Sequence, residues 1–355
     1  MRIAVITCYD QVEEHARPRI LRRALAECED AHTLIVKNHH QGMLRYLEVP
    51  CRLTWVRMRY RPDMYLLTFR GYEMLPLTLL LAGRKPVVFD ELVNAVEYFR
   101  EHGRMRAGSW FDRLFSALYG WMIRRCRYVL ADTDAHAQLS AELCRTSRER
   151  YVTIPVGAEE AIFYPGPEVP HDGFVVFYYG VMKKLHGMEY FLDAAAKLSK
   201  RYKDIRFIVG GDKNRSEALY AAARRKGARL TYHPWFDYDK IIDYARAADV
   251  CVGGPFGGTP QSQFVITTKT FQFMASEIPV LIGRNRVNNA FIDKKNSLVV
   301  PQGDVQALVD AIVWAHDHPK ELRAVGRAGH ALYEQQFSQA LITSRLNDIV
   351  EACRP

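Results

Sequence analysis

Residues 174–187 read FVVFYYGVMKKLHG. Six apolar residues run without alternation, as in a strand buried on both faces of a parallel sheet. Gly180 follows, then Lys183, Lys184 and His186. Gly187 next opens the amphipathic segment MEYFLDAAAKLSKRY. Open α/β sheets present anions through this order of strand, glycine turn and helix. The turn lies at the carboxyl edge, and the free N–H groups of the helix point outward. Lys183 and Lys184 then place positive charge at that mouth; the plain alternative is a pair of solvated turn lysines.

The same alternation extends on both sides of this stretch. Upstream, strands are expected at Arg2–Thr7, Thr33–Val36, Met64–Phe69, Pro86–Asp90, Tyr128–Ala131 and Val152–Pro155. Helices are expected at Pro18–Ala26, Glu73–Leu81, Trp110–Arg125 and Asp134–Leu143. Downstream, strands are expected at Phe174–Tyr179, Ile205–Val209, Arg229–Tyr232, Val250–Val252, Val280–Ile282 and Leu298–Val300. Helical runs begin near Gly187, Ser216, Tyr238, Lys269, Val287 and Asp304, and a long helical tail covers Leu322 to Ala352. Repeated βα alternation implies parallel sheets covered by helices. Between them, 157–173 (GAEEAIFYPGPEVPHDG) loses periodicity and collects proline and glycine, as linkers do.

A chain of 355 residues suits two domains, and 48% apolar with 12% aromatic residues supports filled cores. The expectation is α/β, two doubly wound Rossmann-like domains with a cleft where the strand ends face each other. The expected division is 1–165, 166–335 and a C-terminal helix, 336–355, packing back on the first domain. The seven cysteines are scattered and form no CxxC pair, which argues for a reducing compartment and against a zinc site. MRIAVITCYD is too short an apolar run for a signal peptide, and the apolar patch Met74–Ala82 falls far short of a bilayer. A cytoplasmic protein that does not cross a membrane is expected.

Net charge is +9, and Cys51–Arg127 alone holds fourteen Lys/Arg against seven Asp/Glu. That excess suits phosphate groups or an acidic lipid surface. No aromatic-rich RNP strand, GXXG loop or zinc-finger spacing supports a nucleic-acid partner.

Two more stretches fall at strand ends of the second half. Gly210-Gly211-Asp212 follows RFIV, and 253–272 reads GGPFGGTPQSQFVITTKTFQ before FMASEIPVLIG. Gly257, Thr267, Thr268 and Lys269 there suit an anion at a helix start, or a threonine-capped helix. Taken together, these pieces resemble the GT-B glycosyltransferases, specifically family 4. VLADTDAHAQL with YVTIPVGAEEAIFYP is similar to that family's run into the interdomain linker. FYYGVMKKLHGMEYFLDAAAKL is similar to its glycine–lysine turn and helix, YARAADVCVGGPFGG to its "aDv" segment, FMASEIPVLIG to "mA.g.PVi.g", and LVVPQGDVQALVDAI to its last strand and helix.

The resemblance implies transfer of a sugar from a nucleotide diphosphate to a hydroxyl of a glycan, lipid-linked or small-molecule acceptor. Anomeric configuration is retained and no metal or other cofactor takes part. Donor contacts are then expected from Gly180, Lys183, Lys184, His186, Gly210, His233, Gly257, Thr267, Thr268, Lys269 and Gln272. Lys184 ranks first as the cation stabilising the departing diphosphate, followed by Lys183 and Lys269. Trp235 and Asp249 are expected, with His233, near the base. The chain departs from the family where two glutamates usually stand, at Phe264 and Gln272; Gln272 retains the hydrogen-bonding capacity to meet a ribose hydroxyl. TTKTFQ instead looks like a "P.K…E" variant with Lys269 as its lysine.

In the first half, Asp90 and Glu91 end a strand and are candidates for orienting or deprotonating the acceptor; a helix-capping Asp beside a surface Glu is the alternative. Arg17 and Arg19, in CYDQVEEHARPRI, either reach an acidic acceptor or solvate a helix start. In 108–129, Trp110, Phe111, Leu114, Phe115, Leu118 and Trp121 recur at helical spacing among Arg106, Arg113, Arg124 and Arg125. Such a stripe is either core or a basic aromatic face for an anionic membrane. Two rival functions remain open: a non-catalytic nucleotide-binding subunit and a sugar-nucleotide 2-epimerase.

Overall fold

The structure, a computed structural model, describes residues 1–8, 16–40, 42–211 and 216–354. The chain divides into two compact units, Met1–Val156 with Gln339–Pro355, and Gly157–Ser338. The changeover at 156/157 falls at the start of the aperiodic stretch, not at 165/166.

The first unit runs β1 (Arg2–Thr7), α1 (Ala16–Glu27), β2 (His32–Lys37), α2 (Arg45–Tyr60), β3 (Met64–Leu67), α3 (Leu75–Ala82), β4 (Val87–Asp90), α4 (Ala95–Glu101), α5 (Trp110–Arg125), β5 (Tyr128–Ala131), α6 (Asp134–Leu143) and β6 (Tyr151–Thr153). Its six strands are parallel in the order β2-β1-β3-β4-β5-β6, with Ile3 opposite Met64 and Phe89 opposite Val129. β3 and β4 are buried throughout, which is why they read as unbroken apolar runs. Helix α2 was not expected. It contains Pro50, and while Val49, Leu53 and Val56 turn inward, Leu47, Trp55 and Met58 face out, so its periodicity is smeared.

The second unit runs β7 (Phe174–Tyr179), α7 (Met188–Arg201), β8 (Ile205–Gly210), α8 (Glu217–Arg225), β9 (Leu230–His233), α9 (Ile241–Arg246), β10 (Val250–Val252), α10 (Thr268–Ala275), β11 (Val280–Gly283), β12 (Leu298–Val300), α11 (Val305–Asp317) and α12 (Pro319–Gln336). All six strands are parallel, in the order β12-β11-β10-β7-β8-β9. The chain winds from β7 outward to β9, then returns to place β10 on the other side of β7. That reversal opens a crevice at the carboxyl ends of β7 and β10, where open α/β sheets take ligands.

The helix expected near Val287 does not form. Asn285 Oδ1 accepts from Val287 N, Asn288 Oδ1 accepts from Asn285 N, and Asn288 Nδ2 donates to Gly283 O. Asparagine side chains thus take the backbone partners a helix would need. The expected continuous tail is interrupted at Phe337–Ser338, and its last part, α13 (Gln339–Ala352), belongs to the first unit. There Ile342, Leu346, Ile349 and Val350 pack with Ile20, Leu21, Ala24 and Leu25 of α1, and Gln339 Nε2 donates to Ile20 O.

Candidate functional site

Two glycine-bounded segments meet at the β7/β10 crevice. After β7 the chain turns at Gly180 and forms a 3-10 turn, Lys184–His186, before Gly187 opens α7 with φ 59°. After β10 the loop at Phe256 and Gly257 donates backbone N–H groups to His186 O and Leu185 O, at 3.1 and 3.0 Å. The approach is so close that a Cβ on Gly187 would stand 2.5 Å from Gly257 N, and one on Gly257 2.0 Å from Lys184 O. Glycine is required at both positions by backbone contact, whether or not a ligand is bound.

Both helices that start at this crevice begin without a side-chain cap. Gly187 has no side chain to offer α7. Thr267 stands at the N-cap of α10, but its hydroxyl donates to Gly253 O and pairs with Thr270 Oγ1. The threonine cap is therefore replaced by a tie back to the β10 loop. No side chain caps the first N–H groups of either helix.

The expected cations differ sharply in setting. Lys183 and Lys184 are exposed at the turn. Lys269 is 6% exposed, with Nζ 4.4 Å from the centre of the Tyr178 ring and 3.2 Å from where a Cβ on Gly180 would stand. It has neither ion pair nor hydrogen bond among the described residues, and burial alone pushes its pKa down from 10.5 to about 7. His186 Nδ1 is buried without a hydrogen-bond partner among the described residues. Its pKa is held well below the ordinary value by burial first, then by Lys269 and Lys183.

Several of the expected donor residues are engaged within the protein. Gln272 is buried, its Oε1 accepting from Tyr179 and its Nε2 donating to Tyr238, 3.0 Å away; Tyr238 in turn donates to Glu159. Its amide bridges the two tyrosines. A Cβ on Gly210 would stand 1.8 Å from His233 O, so this glycine admits the edge of β9. His233 ends β9 and packs its ring against Phe236 and Tyr244. Asp249 lies at the amino end of β10, accepting from Val175 N, on the edge away from the crevice. Phe264 lies under the Arg286 guanidinium. Asp212 lies outside the described residues, as do residues 9–15 of the segment holding Arg17 and Arg19.

In the first unit, both carboxylate candidates are buried and held by partners within the protein. Asp90 Oδ1 accepts from Arg17 Nη2 at 2.8 Å and Nε at 3.0 Å, while Arg17 Nη1 donates to Ile154 O and Pro155 O. Both residues are buried, so Arg17 neither solvates α1 nor reaches out to an acceptor. Glu91 accepts from Tyr119 Oη at 2.6 Å, Asn94 Nδ2 at 3.0 Å and Ser140 Oγ. Burial raises its pKa against the pull of His136 and these donors. The helix cap that Asp90 was a candidate for is made by Asn94, whose Oδ1 accepts from Val96 N and Glu97 N. What does open at these strand ends is a cavity of about 40 Å³, lined by Phe69, Tyr72, Phe89 and Tyr98 with Arg70 and Asp90.

The aromatic stripe of α5 faces outward except at Phe115, which packs against Phe99 and Tyr119. Trp110, Phe111, Leu114, Leu118 and Trp121 are exposed, Trp110 by 76%, while Tyr119, Met122 and Ile123 form the buried side. Exposed Arg113, Arg124 and Arg125 accompany them, with Arg125 over the Trp121 ring. Among the described residues no helix is long and apolar enough to cross a membrane, and no group of three or more His, Cys, Asp or Glu could hold a metal ion.

Residues 173–318 match the sequence model of the family described as Glycosyl transferases group 1. No curated protein sequence matches the chain. Among solved structures, the chain is similar to Anabaena HepE in complex with UDP-glucose (13% identity, 99% of this chain and 100% of that one, TM-score 0.76). It is similar to sucrose-phosphate synthase from Thermosynechococcus elongatus (17%, 99% and 98%, TM-score 0.77) and to a glycosyltransferase from Rickettsia africae (14%, 99% and 98%, TM-score 0.67). At these identities the likeness establishes the fold: two parallel six-stranded α/β sheets of the GT-B type.

Proposed function

We propose that the protein is a glycosyltransferase that takes a nucleotide diphosphate sugar at the β7/β10 crevice of its second unit. The observation that carries this is Lys269, a buried lysine without a counter-ion among the described residues, beside the Gly180 turn at a crevice where two helices begin uncapped. A diphosphate supplies the missing negative charge. The group 1 match over 173–318 and the UDP-glucose held by HepE support a nucleotide-sugar donor.

In the reaction, the bond from the sugar's anomeric carbon to the diphosphate oxygen breaks, and the diphosphate leaves with the electron pair. A hydroxyl oxygen of the acceptor bonds to that carbon, and its proton passes to the departing diphosphate oxygen. Charge on the diphosphate rises during this step, so Lys269 and the helix N–H groups inside, with Lys184 and Lys183 at the mouth, stabilise the transition state more than the bound donor. This positive charge lets transfer proceed without a metal, and the family 4 resemblance supports retention of configuration. His186, Gly257, Thr267 and Thr268 complete the donor surface, while Gln272 positions Tyr179 and Tyr238.

Acceptor contacts come from the first unit, whose strand ends carry the aromatic side chains Phe69, Tyr72, Phe89 and Tyr98. The exposed α5 face suits an acceptor carried on an anionic bilayer from the cytoplasmic side: aromatic rings seat at the headgroup level and arginines meet the lipid charge. Cosedimentation with anionic vesicles, lost on Trp110→Ala with Leu114→Ser, is expected; equal recovery with neutral vesicles removes the membrane contact.

The reading is tested by titrating UDP, GDP and ADP into the metal-free protein and by following nucleoside diphosphate release with candidate acceptors. Binding with acceptor-dependent release is expected. Binding without turnover favours a nucleotide-binding subunit, and a 2-epimerised sugar nucleotide without transfer favours the epimerase. No binding overturns the donor site.

A further inference from the structure

Lys269 is surrounded by groups that offer it no negative charge. From β7 the Tyr178 ring lies against its Nζ, and the Gly180 turn passes beside it. From the 3-10 turn the facing titratable groups are His186 and Lys183. On its own helix the nearby polar side chain is the Gln272 amide, engaged with Tyr179 and Tyr238. From α12 the titratable group against α10 is His330, whose ring meets Met274 O at the far end of the helix. Among the described residues, no carboxylate pairs with Lys269.

We propose that the diphosphate of the incoming nucleotide sugar is the absent partner of Lys269, and that it enters together with a proton taken up by this lysine. The inference rests on the nucleotide-sugar reading above. The balance is simple. In the empty protein near pH 8 the side chain is a neutral amine, since burial holds its pKa at about 7. When the diphosphate arrives, the amine takes a proton from the buffer and becomes the ammonium of an ion pair. When the diphosphate departs, that proton returns to the solvent. Lys184 stands exposed at the mouth, outside the enclosed position of Lys269. Donor affinity therefore falls as pH rises through the range where Lys269 must be charged from the neutral form, and the site holds nucleotide less tightly in mild base.

The test is titration calorimetry with UDP, GDP and ADP between pH 7 and 8.5, in two buffers of different protonation enthalpy. Above pH 7 the terminal phosphate, with a second pKa of about 6, is largely ionised and adds little proton exchange. The expected result is an enthalpy that differs between the buffers in proportion to nearly one proton, with affinity falling up to about tenfold per pH unit. Lys269→Arg keeps a cation that does not titrate here, so its binding loses both the buffer dependence and the pH dependence. Lys269→Met binds at least about tenfold more weakly, since its ion pair is gone, and takes up no proton. His186→Gln still shows the uptake. Equal wild-type enthalpies in the two buffers, or uptake abolished by His186→Gln, overturn the proposal and leave the nucleotide site standing. Failure of all three nucleotides to bind overturns both.

Discussion

At the carboxyl end of β4, in the first unit, Asp90 and Glu91 are buried and fully answered. Arg17 grips the first, while Tyr119, Asn94 and Ser140 surround the second. At the carboxyl end of β7, in the second unit, Lys269 is buried nearly as deeply and has no charged partner among the described residues. Both places look alike by fold: an edge of a parallel sheet where ligands can approach. Burying a charge is tolerated only if something compensates it. Where the chain supplies the compensation, the charge belongs to the architecture. Where it does not, a ligand is the natural source of the rest.

The comparison breaks most easily at Asp90. Asp90→Ala strands the Arg17 guanidinium in the core and should destabilise the protein by about 3–5 kcal/mol, read from urea unfolding. The double replacement Arg17→Met with Asp90→Leu removes both charges and should recover most of that loss. A small effect of Asp90→Ala alone would return Asp90 to the list of residues open to an acceptor.

Lys269→Met should act with the opposite sign on the empty protein. The folded pKa lies near 7 and the unfolded one near 10.5, so between those values the unfolded chain binds more protons and stability rises with pH. Below about 7 both states carry the charge and the full penalty of burying it is present. The methionine should therefore raise the melting temperature at pH 6.5, by an amount that shrinks as the pH climbs from about 7 toward 10.5. A variant that loses stability at pH 6.5 would mean that the lysine has a counter-charge after all.

These settings explain which parts of the molecule were legible from residues alone. Strands buried on both faces leave an unbroken apolar signature, so β1 and β7 run over the expected residues, Arg2–Thr7 and Phe174–Tyr179. Helix α2 was hidden because it presents apolar residues on both sides, and the Val287 segment misled because Asn285 and Asn288 close turns that periodicity cannot register. The α5 stripe has helical spacing whether it faces in or out; only the packing of Tyr119, Met122 and Ile123 on its other side decides. At the site, the glycine–lysine turn was readable because it is local. The partner of Asp90 lies seventy-three residues away, and the burial of Lys269 depends on where β7 passes, neither of which has a local signal.

A smaller effect tests the tyrosine pair bridged by Gln272. Gln272→Leu leaves Tyr179 without this acceptor and Tyr238 without this donor, and should destabilise by about 1–3 kcal/mol. Nucleotide affinity should change far less than for Lys269→Met, since the amide faces the tyrosines. A selective loss of binding with stability unchanged would restore Gln272 as a direct ligand contact.

The smallest expected effect on stability belongs to Lys184→Ala, and it sharpens the comparison most. Lys184 is exposed on the 3-10 turn, so its removal should shift unfolding by no more than about 0.5 kcal/mol. Its bond to a phosphate oxygen should still be worth roughly 1.5–3 kcal/mol, or about ten- to hundredfold in nucleotide affinity. Salt then separates it from its buried neighbour. An exposed charge is screened as ionic strength rises, whereas one enclosed behind the Gly180 turn is screened much less. The affinity lost on Lys184→Ala should therefore shrink in 0.5 M salt, as measured by titration calorimetry, while that lost on Lys269→Met should persist. Equal salt sensitivity in the two variants would mean that both lysines meet the phosphate in water, and that the crevice has no dry inner half.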